Sequence, residues 1–444
     1  MTGAGPSPHT VRVRMYQVGF GDCFLLSAEY AAPLPDGRAE RHVLIDCGST
    51  RQADGTQLAD VADLVARHTA GRLDVLVITH RHKDHLSAFG LDVPGRLLEG
   101  LRPTLVLRPW TEDPAAPADA TAPLGDGSRR LAAALQAGRD LAAGLAAGIR
   151  RDRGLRGDLV GLALAQLANE AAILRLDAMA AAGEARYLSA GQPSGIDDVV
   201  PGMTAHVLGP PTVEQWPAVA TQAAENPEYW ISQARLFAEA TGTPVPAGGV
   251  PALAGGVPAL AGDGDALAAA AGGQVCRPGP ARWLIDRMTD RQVTSLQRIV
   301  RSLDDAMNNT SLLLLLDVAG QRLLFPGDAQ IENWSYALSQ PATTDLLRTV
   351  TLYKVGHHGS RNGTPRSLVR LWQQDPTPRV AMMSTLPGVH GQTEGTRVPR
   401  ATLVTALEQL GPLHRTDTLA RAEHHLELEC RLQTGVWERK PPAP

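Results

Sequence analysis

The sequence predicts an α/β (α+β) chain, and two observations carry the prediction. Short runs of Val, Leu and Ile recur along its 444 residues and stop at polar, often glycine-bearing turns, as buried strands do. Between them lie long alanine- and leucine-rich stretches of helical composition. In chain order, Cys23 and Cys47 sit in core-strand contexts, and further strands are read at residues 73–78, 104–107, 204–208, 312–316, 323–325 and 353–355. Residues 128–188 carry Leu131, Leu135, Leu141, Leu145, Leu159, Leu162, Leu167, Ile173 and Leu176 amid alanine, and read as two or three helices capping one side. Residues 280–306 read as a further helix with Arg282, Arg287, Arg291, Arg298 and Arg301. Between these helices, GGVPALA occurs at 248–254 and again at 255–261, and the Gly, Ala and Pro tract at 244–273 is a low-complexity linker.

The strand at 73–78 runs into Thr79-His80-Arg81-His82-Lys83-Asp84-His85, an H-x-H-x-D-H arrangement. In an extended segment alternate side chains share a face, so His80 and His82 can converge on one ion while Asp84 and His85 turn towards a second. Three imidazoles and a carboxylate suit zinc, manganese or iron better than calcium, which takes oxygen ligands throughout. The competing reading is a histidine-rich surface loop.

This motif resembles that of the metallo-β-lactamase superfamily. Leu323-Leu324-Phe325-Pro326-Gly327-Asp328 is similar to the strand that ends there in a metal-bridging carboxylate, which makes Asp328 the bridge candidate. Tyr353-Lys354-Val355-Gly356-His357-His358-Gly359-Ser360 is similar to the segment holding the last histidine ligand, with His357 the first choice and His358 the second. Tyr16-Gln17-Val18-Gly19-Phe20-Gly21-Asp22-Cys23 resembles the "DVGQGD" opening of the ComEC-type branch, named for a DNA-uptake protein. His42-Val43-Leu44-Ile45-Asp46-Cys47-Gly48 resembles its "LIDxG" strand, and Asn308-Asn309-Thr310-Ser311-Leu312 its Asn-x-Ser strand. Met383-Ser384, His390 and His414-Arg415-Thr416-Asp417 are similar to its closing strand, loop histidine and "rTD" element.

The resemblance implies an αββα four-layer sandwich with a helical insertion. It divides the chain into an N-terminal half (1–111), a helical insertion (112–200), a core strand (201–212), a second insertion (213–304), a C-terminal half (305–432) and a Pro-containing tail (433–444). One departure stands out. Family members with a complete dinuclear site carry a third histidine for the first metal, whereas the only histidine in that interval here is His206, in a strand. Glu112 or Asp113 can be expected to substitute as oxygen donors, or the first metal to be weakly held.

The resemblance thus implies one or two Zn²⁺ ions, or Mn²⁺, held by His80, His82, Asp84, His85, Asp328 and His357. The expected chemistry is hydrolysis by a metal-activated water, with Asp84 and Asp328 setting its basicity. Lys354, His358, His390 and the amides of Gly356, Gly359 and Ser360 are expected anion contacts. Only three of the 42 basic residues are lysines, and Lys83 and Lys354 both lie in metal motifs. The substrate class the branch implies is a phosphodiester, with single-stranded DNA as partner. A small-molecule ester, thioester, lactone, lactam or phosphoester is the alternative, and a non-catalytic binding or regulatory protein with a degraded site is a third reading.

Composition narrows the rest. With 43% hydrophobic residues the chain can bury a substantial core. Its net charge of −4 and pI near 6.4 do not make the whole surface a trap for polyanions. Local basic density exists at residues 150–156 and along 282–301, and reads most simply as solvated helix faces. Aromatics total 4%, too few for an extended base-stacking platform, and Trp110 and Trp372 are the few that can stack. Four cysteines without a CxxC pair disfavour zinc-ribbon and thioredoxin-like readings. Buried thiols, no basic–apolar leader and no apolar run long enough to span a bilayer lead us to expect a cytoplasmic protein without membrane partners.

Overall fold

The computed structural model describes residues 5–113, 157–220, 226–229, 307–389, 397–421 and 423–441, with the backbone alone for 157–168. The tandem repeat, the arginine-bearing stretch at 280–306, the basic cluster at 150–156, Cys276 and His390 lie outside the described residues.

Within them, the apolar runs form two sheets. The first comprises β1 (Thr10–Tyr16), β2 (Cys23–Glu29), β3 (Glu40–Cys47), β4 (Val75–Val77), β5 (Leu105–Pro109), β6 (Glu184–Leu188), β13 (His425–Arg431) and β14 (Val436–Arg439), in the order β14-β13-β1-β2-β3-β4-β5-β6. Pairing is antiparallel from β14 to β3 and parallel from β3 to β6. The second comprises β7 (Met203–Gly209), β8 (Leu313–Val318), β9 (Gln321–Phe325), β10 (Leu352–Lys354), β11 (Val380–Met383) and β12 (Leu413–Arg415), in the order β12-β11-β10-β9-β8-β7. Both sheets are mixed.

Strand periodicity decides what each face meets. Val11, Val13 and Met15 of β1 join Leu314, Leu316, Leu323 and Phe325 of the second sheet in one buried cluster. Alternate residues of the first sheet, such as Leu44 and Leu76, pack with α1 (Leu58–His68), α2 (Lys83–Gly90), α3 (Asp92–Gly100) and the helix Gly157–Ala182. Leu313, Leu315 and Leu324 of the second sheet pack instead with Trp334, Leu347, Leu368, Trp372 and Leu403 on the helices of the C-terminal half. Trp110 and Trp372 are both buried, their indole N–H groups donating to Pro211 O and Leu347 O, so each is a packing residue and neither is a stacking platform.

The structure differs from the sequence reading at two edges. Residues 184–188, expected inside the helical insertion, form β6, and the expected tail contributes β14. Both are edge strands of the first sheet with little buried surface, so neither carries a strong alternating pattern.

One core histidine makes the fold acid-sensitive. His42 of β3 is 3% exposed, with Ser27 Oγ 3.0 Å from its Nδ1. Burial first, then the nearby Arg38, Arg14 and Arg41, push its imidazole down from 6.5 to about 3. The unfolded chain therefore binds the proton more readily, and the neutral ring's stabilisation is present above about pH 6.5 and lost as pH falls towards about 3. From pH 7 to pH 5 this one group is expected to cost about 2 kcal/mol. Urea midpoints at the two pH values should converge in His42→Gln relative to wild type; an unchanged gap would remove His42 as the cause.

Candidate metal centre

The site forms where β4 ends. Its chain continues through Thr79 and His80, and α2 begins immediately after His82, so Asp84 and His85 lie on the helix's first turn. This tight passage needs backbone to meet backbone. A Cβ on Gly48 would lie 2.5 Å from Leu86 N, and one on Gly21 would lie 2.6 Å from Asp84 O. These glycines, together with the Asp22 amide that donates to Asp84 O at 2.9 Å, dock the β1–β2 turn and the end of β3 against α2.

Two groups of ring and carboxylate donors result. His80 Nε2 and His82 Nδ1 converge at 3.1 Å. Beside them Asp84, His85, Asp328 and His358 form a four-residue group whose donor atoms all lie within 4.8 Å of one another. His358 Nε2 is 3.1 Å from Asp84 Oδ2 and 3.5 Å from Asp328 Oδ2. His85 Nε2 is 3.2 Å from Asp328 Oδ2 and 4.0 Å from Asp84 Oδ2. These separations surround roughly the 3.3 Å expected between tetrahedral donors about 2.0–2.1 Å from a zinc ion. The donor set therefore fits a divalent transition metal.

The sequence ordering of the paired histidines is reversed. His358 enters the four-residue group, whereas His357, with Nε2 3.8 Å from Asp328 Oδ2, does not. Both occupy left-handed backbone, φ 48° and 51°, which lets adjacent side chains diverge. The His358 side chain is fully buried and that of His357 is 24% exposed.

A second layer of groups aims the ligands. His85 Nδ1–H donates to Asp46 Oδ2 at 2.8 Å, leaving Nε2 for the group. Asp46 is available because the β2–β3 register slips between Cys23 and Phe24, which pair with Cys47 and Ile45. The intervening Asp46 is left over at φ 57°, and its carboxylate turns to accept from Thr79 N at 2.8 Å and Thr79 Oγ1 at 2.6 Å. His358 Nδ1 donates to Ser384 O at 3.1 Å. Asp22 lies behind both rings, 3.7 Å from His85 Nδ1 and 3.5 Å from His358 Nδ1. Asp22 and Asp46 were visible as parts of the "GFGD" and "LIDCG" motifs, but nothing local in either motif assigns them this work.

Electrostatics follow the packing. Burial opposes ionisation of Asp84, but His85 and His358 outweigh it and hold the carboxyl below the ordinary range. Burial likewise opposes ionisation of Asp328, and His85, His358 and His357 hold it well below. In return Asp328, Asp46 and Asp84 raise His85 well above the usual imidazole value against burial, and Asp328 and Asp22 raise His358. A divalent cation would take the place of the protons that these carboxylates favour on His85 and His358. His80 goes the other way, lowered by burial, then His85 and His82, and burial brings His357 down to about 4.

Several expected contacts are placed elsewhere. Lys354 is 2% exposed and lies beneath the site, paired with Asp22, donating to Gly327 O at 3.0 Å and 3.6 Å from Asp328 Oδ1. It is a support, withdrawn from any anion at the surface. The Gly356 amide donates to Tyr353 Oη at 3.2 Å and the Ser360 amide to His357 O at 2.8 Å, so both are already satisfied. Glu112 accepts from Arg108 Nε at 3.0 Å and pairs with its Nη2 at 2.9 Å, which commits it away from the histidines. His206 sits mid-strand in β7 opposite Leu315. Neither they nor Asp113 belong to a converging donor group among the described residues.

Comparison of the chain with protein-family models and with curated proteins finds no match. No helix among the described residues is long and apolar enough to cross a membrane.

Proposed function

We propose that this protein is a metal-dependent hydrolase of the metallo-β-lactamase superfamily, related to its ComEC-type branch, and that it cleaves phosphodiesters in single-stranded DNA. The observation that carries the metal reading is the four-residue group Asp84, His85, Asp328 and His358, drawn from three separate chain segments with imidazole–carboxylate distances of 3.1–4.0 Å. Two facing sheets, each backed by helices through its own apolar cluster, support the four-layer sandwich that the motif order implies. The substrate class rests on the motif likeness.

A Zn²⁺ or Mn²⁺ ion bound here supplies an acidified water as nucleophile and charge compensation for the reacting phosphate. The chain's own residues do the rest. Asp84 and Asp328 would hold the ion together with His85 and His358, while Asp46 and Ser384 keep the two imidazoles in the tautomer that presents Nε2. Lys354 sets its ammonium 3.6 Å from the far oxygen of Asp328.

Protein reconstituted with Mn²⁺ or Zn²⁺ is expected to cleave end-labelled single-stranded DNA, and Asp84→Ala purified in parallel to lose that cleavage. Equal cleavage by both would assign the activity to a contaminant. No cleavage by metal-loaded wild type would overturn the nuclease reading.

A further inference from the structure

We infer that the two halves of the centre fill in the order opposite to their order along the chain. The Asp84, His85, Asp328 and His358 set holds a resident divalent ion, and the His80–His82 pair takes a second, exchangeable one. The inference rests on the metal-centre reading above and is independent of the substrate assigned to it.

Donor count comes first. The resident set offers four protein donors, twice the number in the other pair. The His80–His82 pair offers two rings at 3.1 Å and can add only a share of Asp328. Asp328 Oδ2 already faces His85 and His358, and Oδ1, 3.6 Å from Lys354, accepts no hydrogen bond, so one carboxylate oxygen is the most that Asp328 can lend. The groups from which a further donor was expected are committed elsewhere: Glu112 to Arg108, and His206 to the middle of β7.

Charge acts in the same direction. The resident set contains two carboxylates, and the paired histidines contain none. In a buried site a divalent cation gains far more from two fixed anions than from two neutral rings. Preorganisation completes the case. Both resident imidazoles have their outer nitrogen tied down, to Asp46 at 2.8 Å and to Ser384 O at 3.1 Å. Of the other pair, His80 contacts Thr79 Oγ1 at 3.2 Å, and His82 occupies the partly exposed N-cap of α2.

The test is a Zn²⁺ titration of the metal-free full-length protein against a chromophoric chelator, compared with His82→Ala and Asp84→Asn. Wild type is expected to show one tight equivalent and a second at least about tenfold weaker, the scale on which support of a metal ligand is felt. His82→Ala should keep the tight equivalent and lose the weak one, whereas Asp84→Asn should lose the tight one. Circular dichroism of each variant separates loss of binding from loss of fold, and His82, partly exposed, is the substitution the fold tolerates best. Loss of the tight equivalent in His82→Ala with retention in Asp84→Asn would overturn the inference, as would equal weakening of both equivalents in both variants. A folded wild type that binds no Zn²⁺ would overturn the metal centre itself. Binding in the expected order without DNA cleavage would leave the inference standing and overturn only the nuclease reading.

Discussion

His358→Ala is expected to lower kcat/KM for single-stranded DNA by at least about 100-fold, the upper end of what losing an outer-shell partner of a metal costs, while His357→Ala stays within about tenfold of wild type. The two histidines are adjacent, so sequence position cannot separate them. Geometry does. His358 Nε2 lies 3.1 Å from Asp84 Oδ2 and its Nδ1 is tied to Ser384 O, so removing the ring deletes a donor and leaves two carboxylates facing each other across a gap. His357 belongs to no such group, and its side chain is partly exposed. Each holds left-handed backbone at about 1–3 kcal/mol, a cost the surrounding turn sustains. The alanine variants retain the strain and so isolate the side chains. Steady-state kinetics with metal content measured on the same samples decides the matter: an inverted ranking would return the ligand role to His357.

What the sequence made legible was what is local. His80, His82, Asp84 and His85 lie within six residues behind an apolar strand, and the structure brings each to the centre. Asp328 was equally readable from the strand that ends in Gly327-Asp328. The supporting carboxylates were not. Asp46 reaches His85 only because a register slip between β2 and β3 leaves it unpaired, and that slip depends on a strand pairing about twenty residues apart in the chain. The choice between His357 and His358 depends on a left-handed backbone conformation that is uncommon outside glycine, for which composition offers no sign. The edge strands β6 and β14 escaped for another reason. A strand at a sheet's edge buries one side weakly, so the apolar alternation that reveals a central strand is diluted. Depth was the remaining blind spot: Lys354 stands two residues before Gly356 in a motif that lines the site, yet its ammonium points into the protein.

That buried lysine yields the largest stability effect. Lys354→Met is expected to destabilise the protein by about 3 kcal/mol, because it takes from the buried Asp22 its closest cation and leaves it only the His85 and His358 rings, 3.7 and 3.5 Å away. Both groups are almost fully buried, Lys354 at 2% and Asp22 at 1% exposed. Burial opposes the lysine's charge, but Asp22 and Asp328 raise its pKa above the usual value, so the ammonium stays charged throughout the working range. Replacing both partners removes the stranded charge, and the double variant Asp22→Asn, Lys354→Met should recover most of the lost stability in urea unfolding. Function should not recover with it. Without the ammonium 3.6 Å from Asp328 Oδ1, that carboxylate has no cation to fix its far oxygen, and its near oxygen is the one shared by His85 and His358. A double variant that is stable yet binds Zn²⁺ at least about tenfold more weakly would establish the Asp22–Lys354 pair as a positioning element. Full recovery of both stability and affinity would reduce the pair to a packing element. A single Lys354→Met variant as stable as wild type would deny the buried ion pair its structural role.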